Sequence, residues 1–140
     1  DEHLVLKWAN DSLVRQNSFD PAEIADDTHA EWFYGRLKDF ENCRIYVIED
    51  DAGLPIGQVR FDRHDPDWEI TYALDPLFRG RGLAKKFLAT AVSKMRRNKN
   101  VVVLFGRVKE SNKVSCRVFE ALGFQKTITG HGVAKYFCQP

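Results

Sequence analysis

Residues 68–97 constrain the fold more than any other part of the chain, because a strand, a basic glycine-rich loop and a helix follow one another there without a break. Ile70, Tyr72 and Leu74 alternate with Glu69, Thr71 and Ala73, the two-residue period of a strand with two distinct faces, and Asp75-Pro76 ends it. From Leu83 to about Arg97 the apolar residues Ala84, Leu88, Ala91 and Met95 recur at helical spacing, with Lys85, Lys86, Lys94, Arg96 and Arg97 around them. Between the two stands Leu77-Phe78-Arg79-Gly80-Arg81-Gly82. The first N–H groups of a helix have no partner within it and carry the positive end of its dipole, so a strand-to-helix junction of this kind suits phosphate. Gly80 and Gly82 let the main chain approach closely, and Arg79 and Arg81 add full charges. The competing reading is a tight turn with solvated arginines. No acidic residue follows at the spacing of a dinucleotide fold, and no Gly-Lys-Ser/Thr marks a triphosphate loop.

The loop lies in the basic half of the chain. Over 140 residues, 21 basic and 20 acidic groups leave a net charge of +1, and neither nucleic acid nor a membrane is expected as partner. The distribution is uneven. Residues 1–70 hold 7 basic and 17 acidic groups, a net of −10, whereas residues 71–140 hold 14 and 3, a net of +11. The length, with 44% apolar and 29% charged residues, suits a single folded domain. No apolar run approaches the ~20 residues that span a bilayer, and the first residues lack the regions of a secretory signal, so a cytoplasmic protein is expected. Cys43, Cys116 and Cys138 are odd in number and far apart, which predicts three reduced thiols. His64 lies in an Asp-rich turn without metal-ligand spacing, so no metal is expected. The chain opens at Asp1, as a trimmed or excised domain would, and a homodimer or a fusion to another domain is an expected form of assembly.

The remaining elements alternate. Asp1 can cap a helix carrying Leu4, Val5 and Trp8, and Asn10-Asp11-Ser12 breaks it and can cap a short turn through Leu13 and Val14. Thr28-His29-Ala30-Glu31 fits a capping box before Ala30, Phe33, Leu37 and Phe40, which share one helical face; His29 on this helix is expected partly buried or at the surface. Ile45–Ile48 and Ile56–Phe61 flank the turn Asp50–Gly53 as a hairpin, and a polar turn from Arg63 to Asp67 leads into the third strand. Val101–Phe105 reads as a strand buried on both faces. A helix from about Asn112 to Leu122 stops at Gly123, and strands near Gln125–Ile128 and Val133–Cys138 flank Gly130-His131-Gly132.

Two blocks carry a resemblance. Arg79, Gly82 and Ala84 meet the pyrophosphate-binding pattern Arg/Gln-x-x-Gly-x-Gly/Ala, and about 30 residues later the segment from Val108 through Asn112, Ser115 and Phe119 to Leu122-Gly123-Phe124 is similar to a strand-to-helix block of the same family. On these residues the chain resembles the GNAT superfamily of acetyl-CoA-dependent N-acetyltransferases. The resemblance implies a mixed α/β fold, a central and largely antiparallel sheet flanked by helices in three layers. It also implies that strands Trp68–Leu74 and Val101–Val108 splay apart around the pantetheine arm of acetyl-CoA. Leu74 and its neighbours would offer main-chain groups to the arm and thioester. Arg79, Gly80, Arg81, Gly82, Leu83, Ala84 and Lys85 would wrap the pyrophosphate, Asn112 would hydrogen-bond to the cofactor, and Phe119 would line its site. Phe119 stands where many relatives carry a tyrosine that returns a proton to the leaving thiolate. The family opens with a strand before its first helix, which this chain lacks on the present reading.

Direct attack of an amine on a thioester needs a base for the amine proton and a donor for the oxyanion. Glu69 is the candidate base, or else a strand carboxylate paired with a basic neighbour. The N-terminal run, with Trp8, Asn10, Arg15 and Asn17, and the segment around Arg60 look like the branch that acetylates nucleotide-linked deoxy-sugars for surface polysaccharide or nonulosonic acids. Those five residues are candidate contacts to the acceptor, although Trp8, with Trp32 and Phe33, also suits an ordinary helix core. The acidic half would better fit a cationic acceptor such as a peptide N-terminus or a polyamine. Phe119 also permits a non-catalytic acyl-CoA-binding domain.

Overall fold

The computed structural model describes residues 2–11, 25–97 and 103–138, with the backbone alone at 26–28. In chain order these residues form α1 (Glu2–Ala9), α2 (Asp26–Lys38), β1 (Cys43–Glu49), β2 (Pro55–His64), β3 (Asp67–Leu74), a 3-10 turn (Pro76–Phe78), α3 (Leu83–Arg96), β4 (Leu104–Lys109), α4 (Lys113–Ala121), β5 (Gln125–Gly130) and β6 (Val133–Cys138). The strands make one sheet in the order β1-β2-β3-β4-β6-β5, antiparallel at every pairing except the parallel one between β3 and β4. The predicted mixed α/β architecture is present.

Strand alternation divides the core. Val59 and Phe61 of β2 and Trp68, Ile70 and Leu74 of β3 pack with Phe87, Leu88, Ala91, Val92 and Met95 of α3 and with Cys116 and Phe119 of α4. Each large side chain buried this way contributes roughly 1.5–3 kcal/mol. On the opposite face lie α1, which buries Val5, Leu6 and Trp8, and α2, which buries Phe33. Local chemistry places the turns. The Asp50 carboxylate accepts from the backbone N–H of Ala52 and Leu54 at 2.9 and 2.8 Å, closing the β1–β2 hairpin, and Gly123 takes the left-handed conformation just past α4 (φ 84°).

Several expectations are corrected. α2 starts at Asp26 with Ala25 at its N-cap and no side-chain cap, so Thr28 lies inside the helix and makes no capping box. Leu37 is 48% exposed, because α2 covers a polar strand face, and Phe40, 60% exposed, lies past the end of α2 at Lys38. The Arg60 guanidinium packs over the Trp32 ring at 4.9 Å and Arg36 lies 3.8 Å from Asp62, so these residues of α2, rather than Leu37, face β2. His29 is fully buried, its Nδ1 2.7 Å from Glu2 Oε1. β2 continues to His64, shortening the β2–β3 turn to Asp65-Pro66. The fourth strand is Leu104–Lys109: Leu104, Phe105 and Gly106 are buried in succession, burial alternates only from Arg107 onward, and residues 101–102 lie outside the described residues. The turn predicted through Leu13 and Val14 lies outside the described residues. The three cysteines are free and buried, and burial, reinforced by the Asp62 carboxylate, pushes the Cys43 thiol up to about 12, so it stays protonated at neutral pH.

Candidate active site

The site begins where the sheet comes apart. β3 and β4 pair only at Trp68↔Leu104 and Glu69↔Phe105; beyond these two positions the parallel strands diverge towards their C-terminal ends. Trp68 N donates to Val103 O at 2.9 Å across this seam, and Asp75 N donates to Ile56 O at 2.8 Å on the β2 side. Strand alternation therefore turns the N–H and C=O groups of Ile70, Tyr72 and Leu74 towards the gap. A gap edged by main-chain donors and acceptors can hold an extended amide-bearing chain as an added strand would be held.

Both helices that follow the two strands point their N-termini at the open end. α3 starts at Gly82, whose left-handed backbone (φ 71°) sets the first N–H groups free at the loop, and Gly80 is left-handed too (φ 76°). Arg81, Lys85 and Lys86 stand exposed around that end, with Arg81 over the Phe78 ring at 5.3 Å, while Leu83 and Ala84 are half-buried. α4 is capped by Asn112, whose Oδ1 accepts from Ser115 N at 3.3 Å. Arg79 is not free at the loop: its Nη2 donates to Asp11 Oδ2 at 2.7 Å, tying the end of α1 to the glycine-rich segment. Next to it Asp75 accepts from Trp8 Nε1 at 2.8 Å and from Leu77 N at 3.0 Å. Burial pushes the Asp75 carboxyl up, but these hydrogen bonds and the charges of Lys7 and Arg79 outweigh it and hold it below the usual aspartate range.

On the α3/α4 face the gap is floored by rings. Phe119 sits against Gly106 of β4, where even a methyl group would come within 2.6 Å of the ring tip. Tyr72 of β3 meets the Phe119 ring at 6.2 Å and donates its hydroxyl to Ser115 Oγ at 2.9 Å. On the α1/α2 face, Glu69 lies at the apex of the gap and is 9% exposed. Arg107 grips it through Nε to Oε2 at 2.6 Å and Nη2 to Oε1 at 3.1 Å, and His64 Nε2 lies 3.2 Å from Oε1. Asp62 on the same face is held by Arg60 at 2.7 Å and by Arg36 at 3.8 Å. Among the described residues no cluster of His, Cys, Asp and Glu is placed to hold a metal ion.

The sequence profile described as "Acetyltransferase (GNAT) domain" matches residues 1–125. The chain belongs to the GNAT acetyltransferase family. No curated protein sequence shows a significant match to it. Among solved structures, the acetyltransferase fold here is similar to the spermidine N-acetyltransferase of Vibrio cholerae in complex with CoA and spermine (19% identity, TM-score 0.84, 99% of this chain and 89% of that one). It is similar too to a domain from Methanocaldococcus jannaschii (19%, TM-score 0.85, 100% and 92%) and to the ribosomal L7/L12 α-N-protein acetyltransferase in complex with coenzyme A (17%, TM-score 0.83, 99% and 90%). At such identities the likeness speaks to the fold, which agrees with the six-stranded sheet. As a GNAT domain the chain is an acetyl-CoA-dependent N-acetyltransferase with acetyl-CoA as its cosubstrate.

This transferase brings most of its predicted cofactor residues together: Leu74 ends the gap-lining strand, and residues 79–85 and Asn112 surround its open end. Phe119 is buried in the floor of the gap, 2% exposed, with its ring against Tyr72 and Gly106. Trp8 is corrected as an acceptor contact, because its ring is 1% exposed and its indole N–H is spent on Asp75. Arg60 stacks on Trp32 and pairs with Asp62, Asn10 is half-buried at the end of α1, and Arg15 and Asn17 lie outside the described residues. Sequence reasoning missed Arg107, Asp11 and Tyr72. Arg107 and Asp11 meet partners 38 and 68 residues away, and Tyr72 meets Ser115 across 43, so no local pattern announces them.

Proposed function

We propose that this acetyltransferase acts on the amino group of a nucleotide-linked deoxy-sugar of the kind used for surface polysaccharides. The charge of the acceptor face carries this reading. Its two carboxylates, Asp62 and Glu69, are already bound by Arg60, Arg36 and Arg107, and Lys135, beside Arg107 in the sheet, stacks over Phe105 at 4.6 Å. The acidic half of the sequence is thus neutralised where the acceptor would approach, and a cationic surplus suits a diphosphate better than it suits a polyamine. Acetyl-CoA supplies the acetyl group as an activated thioester. Residues 79–85 hold the pyrophosphate at the N-terminus of α3, and the backbone of Ile70–Leu74 aligns the arm and offers N–H groups to the oxyanion. Glu69, with His64 at its outer oxygen, takes the amine proton, His64 being half-exposed and able to pass it to water.

A second reading, an acetyltransferase of polyamines or peptide N-termini, is favoured by the substrates named for two of the similar structures, spermidine and the ribosomal L7/L12 protein. Mixing the protein with acetyl-CoA and, in turn, nucleotide-linked amino sugars, spermidine and peptides, while following free thiol and product mass, separates the two. Turnover confined to the sugars is expected. Acetylation of spermidine or peptides with none of any sugar refutes the proposal.

A further inference from the structure

A carboxylate just past the end of a helix is unfavourably placed, because the last carbonyls carry the negative end of the dipole. Asp11 stands there. Asn10 N donates to Leu6 O at 2.9 Å and Asp11 N to Trp8 O at 3.3 Å, closing α1. A cation at that spot offsets the cost, and the cation is Arg79, whose Nη2 donates to Asp11 Oδ2 at 2.7 Å with both side chains half-buried. Asp75 lies close as well, since the Arg79 charge helps to hold its carboxyl down. The guanidinium is thus set beside two carboxylates that compensate its charge. α1 packs on the opposite side of the sheet from α3, so the side chain that opens the glycine-rich loop is turned away from the helix start that the loop serves. Arg81 and Lys85 differ. Both stand exposed at that helix start, and neither forms an ion pair with a described residue.

We propose that Asp11 and Arg79 are positioning residues: their ion pair ties α1, on the acceptor face, to the cofactor loop, and the Arg79 side chain serves that tie and not the pyrophosphate. This rests on the reading that the pyrophosphate sits at the N-terminus of α3. There it meets the first N–H groups of the helix and the exposed cations Arg81 and Lys85. Arg79 acts on the far side of the loop. The hydrogen bond from Trp8 to Asp75 is a second tie, about one helical turn back along α1, and two ties fix the direction of the helix against the loop as one could not. The loop sets where the thioester lies, and α1 borders the face from which the amine approaches. Holding the two together keeps the reacting atoms in line, and a misplacement of about 1 Å can cost 10²-fold in rate.

Coenzyme A is the probe, its affinity measured by calorimetry over a range of salt. Arg81→Ala should bind it about tenfold more weakly at low salt, with the loss fading as salt rises. Arg79→Gln and Asp11→Asn should keep the salt dependence of the unaltered protein. Each should instead lower kcat about tenfold or more with the amine that turns over in the thiol assay, leaving the KM for acetyl-CoA in place. The double variant should lose no more than either single one, as members of one pair do. Where Arg79→Gln fails to fold, Asp11→Asn decides alone, because it leaves the guanidinium present and released. The proposal is overturned if Arg79→Gln flattens the salt dependence as Arg81→Ala does, if Asp11→Asn tightens coenzyme A binding, or if both variants turn over as fast as the unaltered protein. Binding of coenzyme A to the unaltered protein that ignores salt overturns the pyrophosphate reading itself, and is told apart because it needs no variant.

Discussion

Trp8→Phe tests the assignment of this residue as a buried anchor. The indole N–H donates to Asp75 Oδ2 at 2.8 Å, both side chains are buried, and Asp75 in turn holds Leu77 N at the start of the turn leading into the glycine-rich loop. Phenylalanine keeps most of the ring but removes the donor, leaving a buried carboxylate oxygen with one partner fewer. Hydrogen bonds to charged groups contribute about 1.5–3 kcal/mol, so a loss of about 2 kcal/mol is expected at neutral pH. With a urea dependence of about 2 kcal/mol per molar, the unfolding midpoint followed by far-ultraviolet circular dichroism should fall by roughly 1 M. The native Asp75 carboxyl is held below its ordinary value of 3.8, so its contribution is fully present above that pH and fades as pH falls through the lower native value. The difference between the two proteins should therefore be full at pH 7 and narrow below pH 3.8. An unchanged midpoint together with a raised KM for the amine would refute the reasoning, since it would put the indole against substrate and not against Asp75.

Three further outcomes follow from the site. Arg81→Ala, at the exposed arginine of the loop, should weaken coenzyme A binding about tenfold or more, with the difference shrinking as salt rises; equal affinities at low salt would remove Arg81 from the pyrophosphate site. Glu69→Gln should lower turnover by roughly 10²–10⁴-fold with coenzyme A affinity unchanged in calorimetry, and full turnover would dismiss it as the base. Gly106→Ala places a methyl group 2.6 Å from the Phe119 ring tip and should cost about 1–3 kcal/mol, read as a lower melting temperature that Phe119→Leu partly restores.

The elements read most accurately from sequence were those whose chemistry is local. The strand–loop–helix unit from Asp67 to Arg96, the Asp50 turn, the Gly123 stop and the last two strands all rest on alternation, helical spacing or a residue suited to a turn. α2 shows the limit. Its helical period was legible, but the buried face follows from what lies beneath, Arg60 and Asp62 of β2 meeting Trp32 and Arg36 rather than Leu37, and the helix ends at Lys38 before Phe40.

By itself the sequence determined that a basic, glycine-rich strand-to-helix junction would exist at residues 79–85, because strand alternation, glycines and helical spacing act within a few residues of one another. Tertiary structure alone decided which of the junction's groups are available and what surrounds the chemistry. It bound Arg79 to Asp11, buried Trp8 on Asp75, placed Arg107 and His64 on Glu69 and brought the Tyr72 hydroxyl to Ser115. Except for the neighbouring His64, these pairings join residues 38 to 68 positions apart in the chain. Hydrogen bonds act over about 3 Å, so partners so distant meet only once the sheet and its helices have packed.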